Sequence, residues 1–237
     1  MFLTRLAINT RRRGAQKLLA SPQAMHAAVM AGFAENQVVA GEQRVLWRVD
    51  NYSAQRVLLY TLSPVRPDFT HLVEQAGWPT SQSWDTRCYE PLLDRLRNGQ
   101  RWRFRLTANP VRSGRREGWS DTKPLGHVTV EQQERWLIDR AEKAGFRLLP
   151  RGGRQGTRDA AAVEPCGVDL AVVDRSVRRF RRQNQLVTLS VATFEGTLEI
   201  TDVGAIRATL TRGLGRAKAY GCGLLTLALP RTREADR

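Results

Sequence analysis

The chain has 237 residues, 41% of them hydrophobic, and its 38 lysines and arginines outnumber its 23 aspartates and glutamates to give a net charge of +15. This composition excludes a wholly disordered chain, and no stretch approaches the roughly 18 uninterrupted apolar residues of a transmembrane helix, so we expect a cytoplasmic protein. The three widely spaced cysteines include no C-x-x-C pair, which argues against a disulfide framework or a zinc site.

Strands and helices are predicted in the order β-α-β-β-α-β in the first half of the chain. Ser21 and Pro22 predict the start of the first helix, since serine is a preferred N-cap and proline suits the first helical position. His26 lies in the first turns of this helix. The other predicted elements are a strand at 3–8, a hairpin of strands at 44–50 and 56–62, a helix at 91–97 and a strand at 101–106. This order is typical of a ferredoxin-like domain.

Basic and apolar residues alternate from Arg101 to Leu106. In a strand, this period of two places three arginines on one face and three apolar side chains on the other. The arginine face is either a solvated surface or, because neighbouring like charges repel, a surface that binds phosphate. The sequence does not decide between these two interpretations.

A basic connector follows this strand, at residues 110–123. Its glycines and proline indicate a flexible loop. Its four basic side chains, Arg112, Arg115, Arg116 and Lys123, are predicted to contact a polyanionic partner.

The second half repeats the same order of elements. Thr129 and Gln132 form a capping box for one helix, and Asp202 caps the other, which Gly213 closes. The predicted strands are 125–128, 168–173, two within 186–200 and the last at 224–229. We therefore predict an α+β fold of two tandem ferredoxin-like (RRM-like) βαββαβ domains, an N-terminal domain at residues 1–115 and a C-terminal domain at 122–237.

Five arginines and one phenylalanine occupy residues 175–182, between two predicted strands of the second half. Arginine binds phosphates bidentately and stacks on bases, and it dominates the basic residues of the chain, so a nucleic acid is the expected partner. A membrane surface is the lesser alternative, and a solvated basic face is the alternative for this segment alone. The predicted nucleic-acid contacts here are Arg178, Arg179, Arg181 and Arg182.

Glycines are concentrated in residues 213–223, which we call the glycine-rich loop. Glycine allows a backbone to approach a bulky ligand or to adopt a positive φ, and the two basic residues of the loop make an anion the natural ligand. The predicted binding residues of the loop are Gly213, Gly215, Arg216, Gly221 and Gly223, and its second basic residue is Lys218.

Candidates for acid–base chemistry reduce to three histidines, His26, His71 and His127. A single histidine is more often structural than catalytic. His26 is favoured because it lies early in a capped helix, where unpaired N–H groups also favour anions. We find no zinc hydrolase motif, no Walker loop and no acidic cluster spaced for two magnesium ions, and we expect no cofactor.

The segment from Phe194 to Ile200 and the pattern G-x-G-x-A-K-x-x-G-C-G-L-L at the end of the chain resemble the CasE family of CRISPR RNA-processing endoribonucleases of type I-E systems. The resemblance extends to residues 2–5, to 104–110 and to His26, and it spans essentially the whole chain. It implies tandem ferredoxin-like domains.

The resemblance also implies a reaction. Members of the family cut repeat RNA 3′ of a stem-loop without a metal ion, by attack of the ribose 2′-hydroxyl on phosphorus. His26 matches the catalytic histidine, whereas Gln23 stands where members often carry a tyrosine. Gln23 can orient the phosphate but cannot deliver a proton as a phenol does, so we expect Lys218 or a nearby arginine to stabilise the transition-state charge. The expected partners are the repeat stem-loop, the mature guide RNA and the other subunits of the Cascade complex.

Two other functions remain open on the sequence alone. The first is a non-catalytic subunit that only binds an RNA hairpin, which the glutamine at position 23 keeps open. The second is a general single-strand RNA-binding module of the RRM type, although the chain has no RNP1 pattern.

Overall fold

The computed structural model describes residues 1–34, 44–78, 84–114, 123–151, 167–182 and 185–230. Its strands form two main antiparallel sheets and one small hairpin. None of the helices among these residues is long and apolar enough to cross a membrane.

The first sheet has four strands in the spatial order β2-β3-β1-β4. This is the ferredoxin-like arrangement, in which the first and third strands lie at the centre. The elements of this domain are β1 (Phe2–Ile8), α1 (Arg13–Ala20), α2 (Pro22–Met30), β2 (Leu46–Ser53), β3 (Arg56–Ser63), α3 (Thr70–Ala76) and β4 (Asp85–Cys88). The helices pack on one face of the sheet through a core that includes Leu6, Val29 and Phe69.

The second sheet has the order β11-β5-β10-β8, with β9 paired to β10. In chain order, the four strands of this sheet are β5, β8, β10 and β11. The first and third of them, β5 and β10, lie at the centre, which is again the ferredoxin-like arrangement. A short helix, α4 (Glu90–Arg95), precedes it. The elements of this domain are β5 (Arg101–Ala108), β6 (Val111–Gly114), β7 (Lys123–Gly126), α5 (Val130–Ala141), β8 (Phe146–Leu148), β9 (Leu170–Arg182), β10 (Gln185–Ile200), α6 (Val203–Arg212) and β11 (Leu225–Ala228).

The predicted fold class is confirmed, as are the capped starts of three helices. Ser21, Thr129 and Asp202 each accept a hydrogen bond from a backbone N–H three residues later. The strands at 44–50 and 56–62 also form the predicted hairpin, as β2 and β3.

The prediction that the strand at 101–106 completes the first domain is wrong. This strand is β5, and it pairs with β10 and β11 in the second sheet. The first domain is completed instead by α3 and β4, which lie in a stretch that the sequence suggested was a loop. Both elements are short, and a short element among turn-forming residues has little periodicity of its own. The predicted division between the domains, at residues 115–122, lies outside the described residues.

Two strand assignments in the second half also need correction. Residues 123–126 form β7, and its pairing partner among the described residues is β6, in the small hairpin. Residues 185–200 form one long strand, β10, and not two. Gly196 lies within this strand, and the carbonyl oxygen of Asp169 occupies the space that a Cβ at this position would need. The glycine therefore marks a close approach of two backbones, not a turn.

Candidate active site and nucleic-acid interface

Helix α2 carries the candidate catalytic histidine. Ser21 caps it by accepting a hydrogen bond of 3.2 Å from the N–H of Ala24, and Met25 and Val29 anchor it in the core. His26 is half-buried, and its Nδ1 atom is enclosed without a hydrogen-bond partner among the described residues. Burial lowers the pKa of His26 below the ordinary histidine value of 6.5. The imidazole is therefore neutral near pH 7 and able to accept a proton.

Gln23 lies one helical turn before His26. Residues three apart in a helix share a face, and Gln23 is exposed. A ligand that reaches His26 along this face therefore also meets the side-chain amide of Gln23.

His71 and His127 are placed differently. His71 lies in the first turn of α3, not in a loop, and its Nε2 donates a 2.8 Å hydrogen bond to the carbonyl oxygen of Ala28 in α2. This bond makes His71 a support for the helix that carries His26. His127 follows β7 and does not lie within a strand, and burial together with Arg112 and Arg140 lowers its pKa.

The glycine-rich loop packs against helix α2. The loop leaves α6 at Gly213 and forms one 3₁₀ turn, Lys218–Tyr220, which lies against both α2 and β2. Sequence reasoning singled out His26 and Lys218 separately, and the structure brings the elements that carry them together. Lys218 Nζ donates a 2.7 Å hydrogen bond to the carbonyl oxygen of Arg212, at the end of α6. Burial, and then the nearby Arg44, lower the pKa of Lys218.

The glycines of the loop are surrounded by the protein's own atoms. All four have positive φ, and a Cβ would lie within about 3 Å of another side chain or carbonyl oxygen in each case: Leu46 at Gly213, Trp136 at Gly215, Trp47 at Gly221 and the carbonyl oxygen of Leu214 at Gly223. Packing alone therefore requires glycine here, and a direct role of these glycines in RNA binding stays a prediction.

The arginines of β9 divide between the two faces of that strand. Phe180 turns inward, is only 8% exposed, and packs on Tyr220 with ring centroids 4.7 Å apart. Arg178 shares this face, and its Nη1 donates to the carbonyl oxygen of Tyr220 at 3.4 Å. Arg179 and Arg181 lie on the opposite, exposed face. The backbone of Arg182 ends β9, and its side chain lies outside the described atoms.

Of the other predicted RNA contacts, two lie at one cavity beside the loop and the rest are placed elsewhere or not described. Arg112, in β6, and the exposed Arg216 line one cavity of about 820 Å³. Arg135 and Arg140 of α5 line the same cavity. Lys123 begins β7. The predicted contacts Arg115 and Arg116 lie outside the described residues.

A groove of about 1330 Å³ is lined by both helix α2 and β9. Pro22 and Met25 line one wall, and Arg178 and Arg179 line the other. The groove therefore lies between the candidate catalytic helix and the arginine-rich strand, where a nucleic-acid strand could contact both.

The arginine face of β5 is neutralised by the protein itself at two of its three positions. Arg101 pairs with Glu199 at 3.3 Å, and Arg105 pairs with Asp50 at 3.1 Å and also with Glu195. At these two positions the repulsion that favoured a phosphate partner is relieved by carboxylates, so the phosphate interpretation is not needed there.

Sequence reasoning missed a buried charge cluster beside the loop. Arg48 and Asp50 pair at 2.8 Å, and their side chains are only 2% and 0% exposed. The available signal was their spacing of two in a strand, which places both on one face. That spacing is equally typical of a solvated face, so it could not reveal their burial.

No group of three or more histidine, cysteine, aspartate or glutamate side chains is placed to hold a metal ion among the residues that the structure describes. Cys88 and Cys222 are both free thiols, the first exposed and the second buried.

A family model for a CRISPR associated protein matches residues 1–229. The CRISPR-associated endoribonuclease Cse3 of Thermus thermophilus is 32% identical over 237 residues, covering 96% of this chain and 100% of that protein.

Two solved structures are also similar. One is Thermus thermophilus Cse3 bound to an RNA representing a pre-cleavage complex, with 31% identity, a TM-score of 0.76 and coverage of 96% of this chain and 98% of that chain. The other is a chain of a CRISPR RNA-guided surveillance complex in a pre-nicking state, with 24% identity, a TM-score of 0.65 and coverage of 97% and 100%. At this lower identity the second likeness shows the shared fold alone.

Proposed function

Because the chain belongs to the family of CRISPR-associated proteins, in its CasE endoribonuclease group, we propose that it cuts CRISPR repeat RNA on the 3′ side of a stem-loop without a metal ion. One observation carries the proposal beyond family membership. The turn with Lys218 packs against the helix with the half-buried His26, which supports a site that combines a proton acceptor and a cation.

The reaction is an internal displacement at phosphorus. The ribose 2′-oxygen upstream of the cut bonds to phosphorus, and the bond from phosphorus to the 5′-oxygen of the next nucleotide breaks. The products are a 2′,3′-cyclic phosphate and a 5′-hydroxyl. His26 takes the proton of the 2′-hydroxyl or supplies one to the leaving oxygen, and such proton transfer typically contributes roughly 10²–10⁴-fold.

Lys218 stabilises the charge that develops on the phosphorane. A cation held before the reaction starts costs no reorganisation when the transition state forms. Its bond to the carbonyl oxygen of Arg212 fixes the side chain at the start of the loop. Gln23 orients the phosphate or the 2′-hydroxyl by hydrogen bonds.

The RNA stem lies along the basic side of the second domain. Arg179 and Arg181 on β9 and Arg112 and Arg216 beside the loop supply phosphate contacts, together with the other basic residues predicted from the sequence. Many arginine–phosphate contacts hold the product tightly. The protein therefore stays on the mature guide RNA and acts as a Cascade subunit in the cytoplasm.

The test is cleavage of a labelled repeat hairpin by the purified protein in EDTA. We expect one cut at the 3′ base of the stem, a cyclic phosphate product, and no cut when the nucleotide just upstream lacks its 2′-hydroxyl. We expect His26→Ala to bind the hairpin and not to cut it. Cleavage that stops in EDTA would overturn the mechanism.

The second candidate is a non-catalytic subunit that only holds the RNA hairpin. Gln23 favours it, because an amide cannot replace a phenol in proton transfer. Binding of the hairpin without any cut, by protein at saturating concentration, would establish this second function and exclude the first.

A further inference from the structure

The two groups of the proposed site belong to different domains. His26 lies on α2 of the first domain, and Lys218 lies in the glycine-rich loop of the second. Their relative position therefore depends on how the two domains are held together. The structure contains a group of residues at this interface that none of the chemistry above uses.

The buried Arg48 side chain uses all five of its N–H groups, and three of its hydrogen bonds reach the second domain. Nε and Nη2 donate to the two carboxylate oxygens of Asp50, both at 2.8 Å. Nη2 also donates to Thr226 Oγ1 at 2.9 Å. Nη1 donates to the carbonyl oxygens of Arg105 and Leu224, at 2.9 and 2.8 Å. We call Arg48, Asp50 and Thr226 the interdomain clamp.

The hydrogen bonds of the clamp restrict the relative orientation of the two domains more strictly than an apolar contact would. Burying an ion pair is costly, and well-packed apolar residues often stabilise an interface as well or better. Two apolar surfaces can slide over one another, whereas bonds to β5 and β11 allow one orientation of the guanidinium plane. The second domain is therefore held in one position against β2.

The clamp acts on the glycine-rich loop through its neighbours in β2. Leu46 fills the space beside Gly213, where the loop begins, and Trp47 fills the space beside Gly221. Arg48 holds the carbonyl oxygen of Leu224, directly after the loop. Three consecutive residues of the first domain thus contact the loop at its start, near its end and at its exit.

We infer that Arg48 is a positioning residue for RNA cleavage: by fixing the glycine-rich loop against β2, it places Lys218 relative to His26. The inference rests on the proposed function. Arg48 is only 2% exposed, so its side chain offers almost no surface to RNA. Its loss therefore lowers the rate of the chemical step and leaves RNA affinity nearly unchanged.

The test compares Arg48→Lys and Thr226→Val with the unaltered protein. Lysine keeps the positive charge beside Asp50 but cannot make the forked set of bonds. Arg147→Lys is the matched control, since Arg147 is exposed and pairs with Glu199 at 2.6 Å away from the clamp. Single-turnover rates at saturating protein and RNA dissociation constants are measured well below the melting temperature of each variant.

We expect Arg48→Lys to slow cleavage by about tenfold to a hundredfold, since small misplacements of catalytic groups have effects of this size. We expect a smaller loss for Thr226→Val, no loss for the control, and dissociation constants within about threefold throughout. Amide exchange in residues 214–223 should also become faster in Arg48→Lys. A residue that only stabilises the fold would leave the rate of the folded protein unchanged.

Chemical rescue separates positioning from stability. Arg48→Ala leaves a buried gap beside Asp50, and guanidinium at non-denaturing concentration should restore part of the rate, whereas sodium at equal ionic strength should not. If Arg48→Ala does not fold, the cleavage rates of Arg48→Lys and Thr226→Val test the inference without it. If the unaltered protein does not cut RNA, the proposed function fails and this inference fails with it. If it cuts and Arg48→Lys cuts equally fast, only the inference is wrong.

Discussion

The six-membered ring of Trp47 lies against the α-carbon of Gly221, so that a Cβ at position 221 would be 2.6 Å from the nearest ring atom. Gly221 also has a φ of 78°, which residues other than glycine rarely adopt. A residue of the first domain thus determines the shape of the loop in the second.

Replacement of Gly221 by alanine should destabilise the protein for both of these reasons. The added methyl group collides with a buried ring, and overpacking of this kind typically costs about 1–3 kcal/mol beyond the backbone strain. The free energy of unfolding in urea measures the loss. Cleavage should fall as well, because the turn that carries Lys218 cannot keep its place on α2.

Gly99→Ala is the matched control. Gly99 has a φ of 81°, and no atom lies within 4 Å of its Cβ position. This variant therefore reports backbone strain alone, about 1–2 kcal/mol. Equal losses in the two variants would contradict the collision with Trp47.

The cleavage rate should depend on the pKa of His26. Burial lowers that pKa below 6.5, and the neutral form accepts the proton, so the rate rises with pH and levels off above the pKa. The acid limb of kcat/KM, which reports the free enzyme, should have its midpoint below pH 6.5. Bound RNA is anionic and favours the protonated form, so the acid limb of kcat should lie at higher pH. An acid limb that persists unchanged in the residual activity of His26→Ala would contradict the assignment.

Gln23 should matter less than His26. Its amide can orient a substrate oxygen but transfers no proton, so Gln23→Ala should slow single-turnover cleavage by less than about tenfold, against roughly 10²–10⁴-fold for His26→Ala. Gln23→Tyr places a phenol on the same helical face and should raise the rate. If Gln23→Ala lost as much activity as His26→Ala, this prediction would be wrong, and the amide would be as important for cleavage as the imidazole.

The exposed arginines of β9 should determine the salt dependence of RNA binding. Arg181→Ala should reduce the slope of log affinity against log salt concentration by about 0.9, the value for one phosphate contact on a duplex. Arg101→Ala is the control, because Arg101 already pairs with Glu199. Titrations of the hairpin at several salt concentrations give both slopes. Equal slopes for Arg181→Ala and the unaltered protein would exclude the contact.

The sequence was informative where a local signal has one meaning. Ser21 followed by Pro22 predicts a helix start in almost any context, and α2 begins there. The fold class followed because both halves repeat one order of elements. In the first half the predicted order of elements was correct although α3 and β4 had been missed. The prediction assigned their places in that order to α4 and β5, which lie outside the first sheet.

The rest depends on contacts between residues far apart in sequence. Gly221 was predicted as a binding residue, which stays a prediction, and the sequence does not show that Trp47 packs against it. Arg105 was predicted to face solvent or phosphate, and only the folded structure shows Asp50 beside it. A pattern of charge and period reports which face a side chain lies on, and it does not report what covers that face.

The position of β5 has a consequence for how the protein is made. This strand leaves the ribosome directly after the first domain, but its two neighbours in the sheet, β10 and β11, are synthesised much later. The first domain can fold on the nascent chain, whereas the second must wait, because non-local strand pairing needs both partners. Thr226, which Arg48 binds, is among the last of the described residues to emerge. An unfinished chain that ends before the glycine-rich loop therefore carries His26 without Lys218, so the proposed site cannot form until that loop has been synthesised.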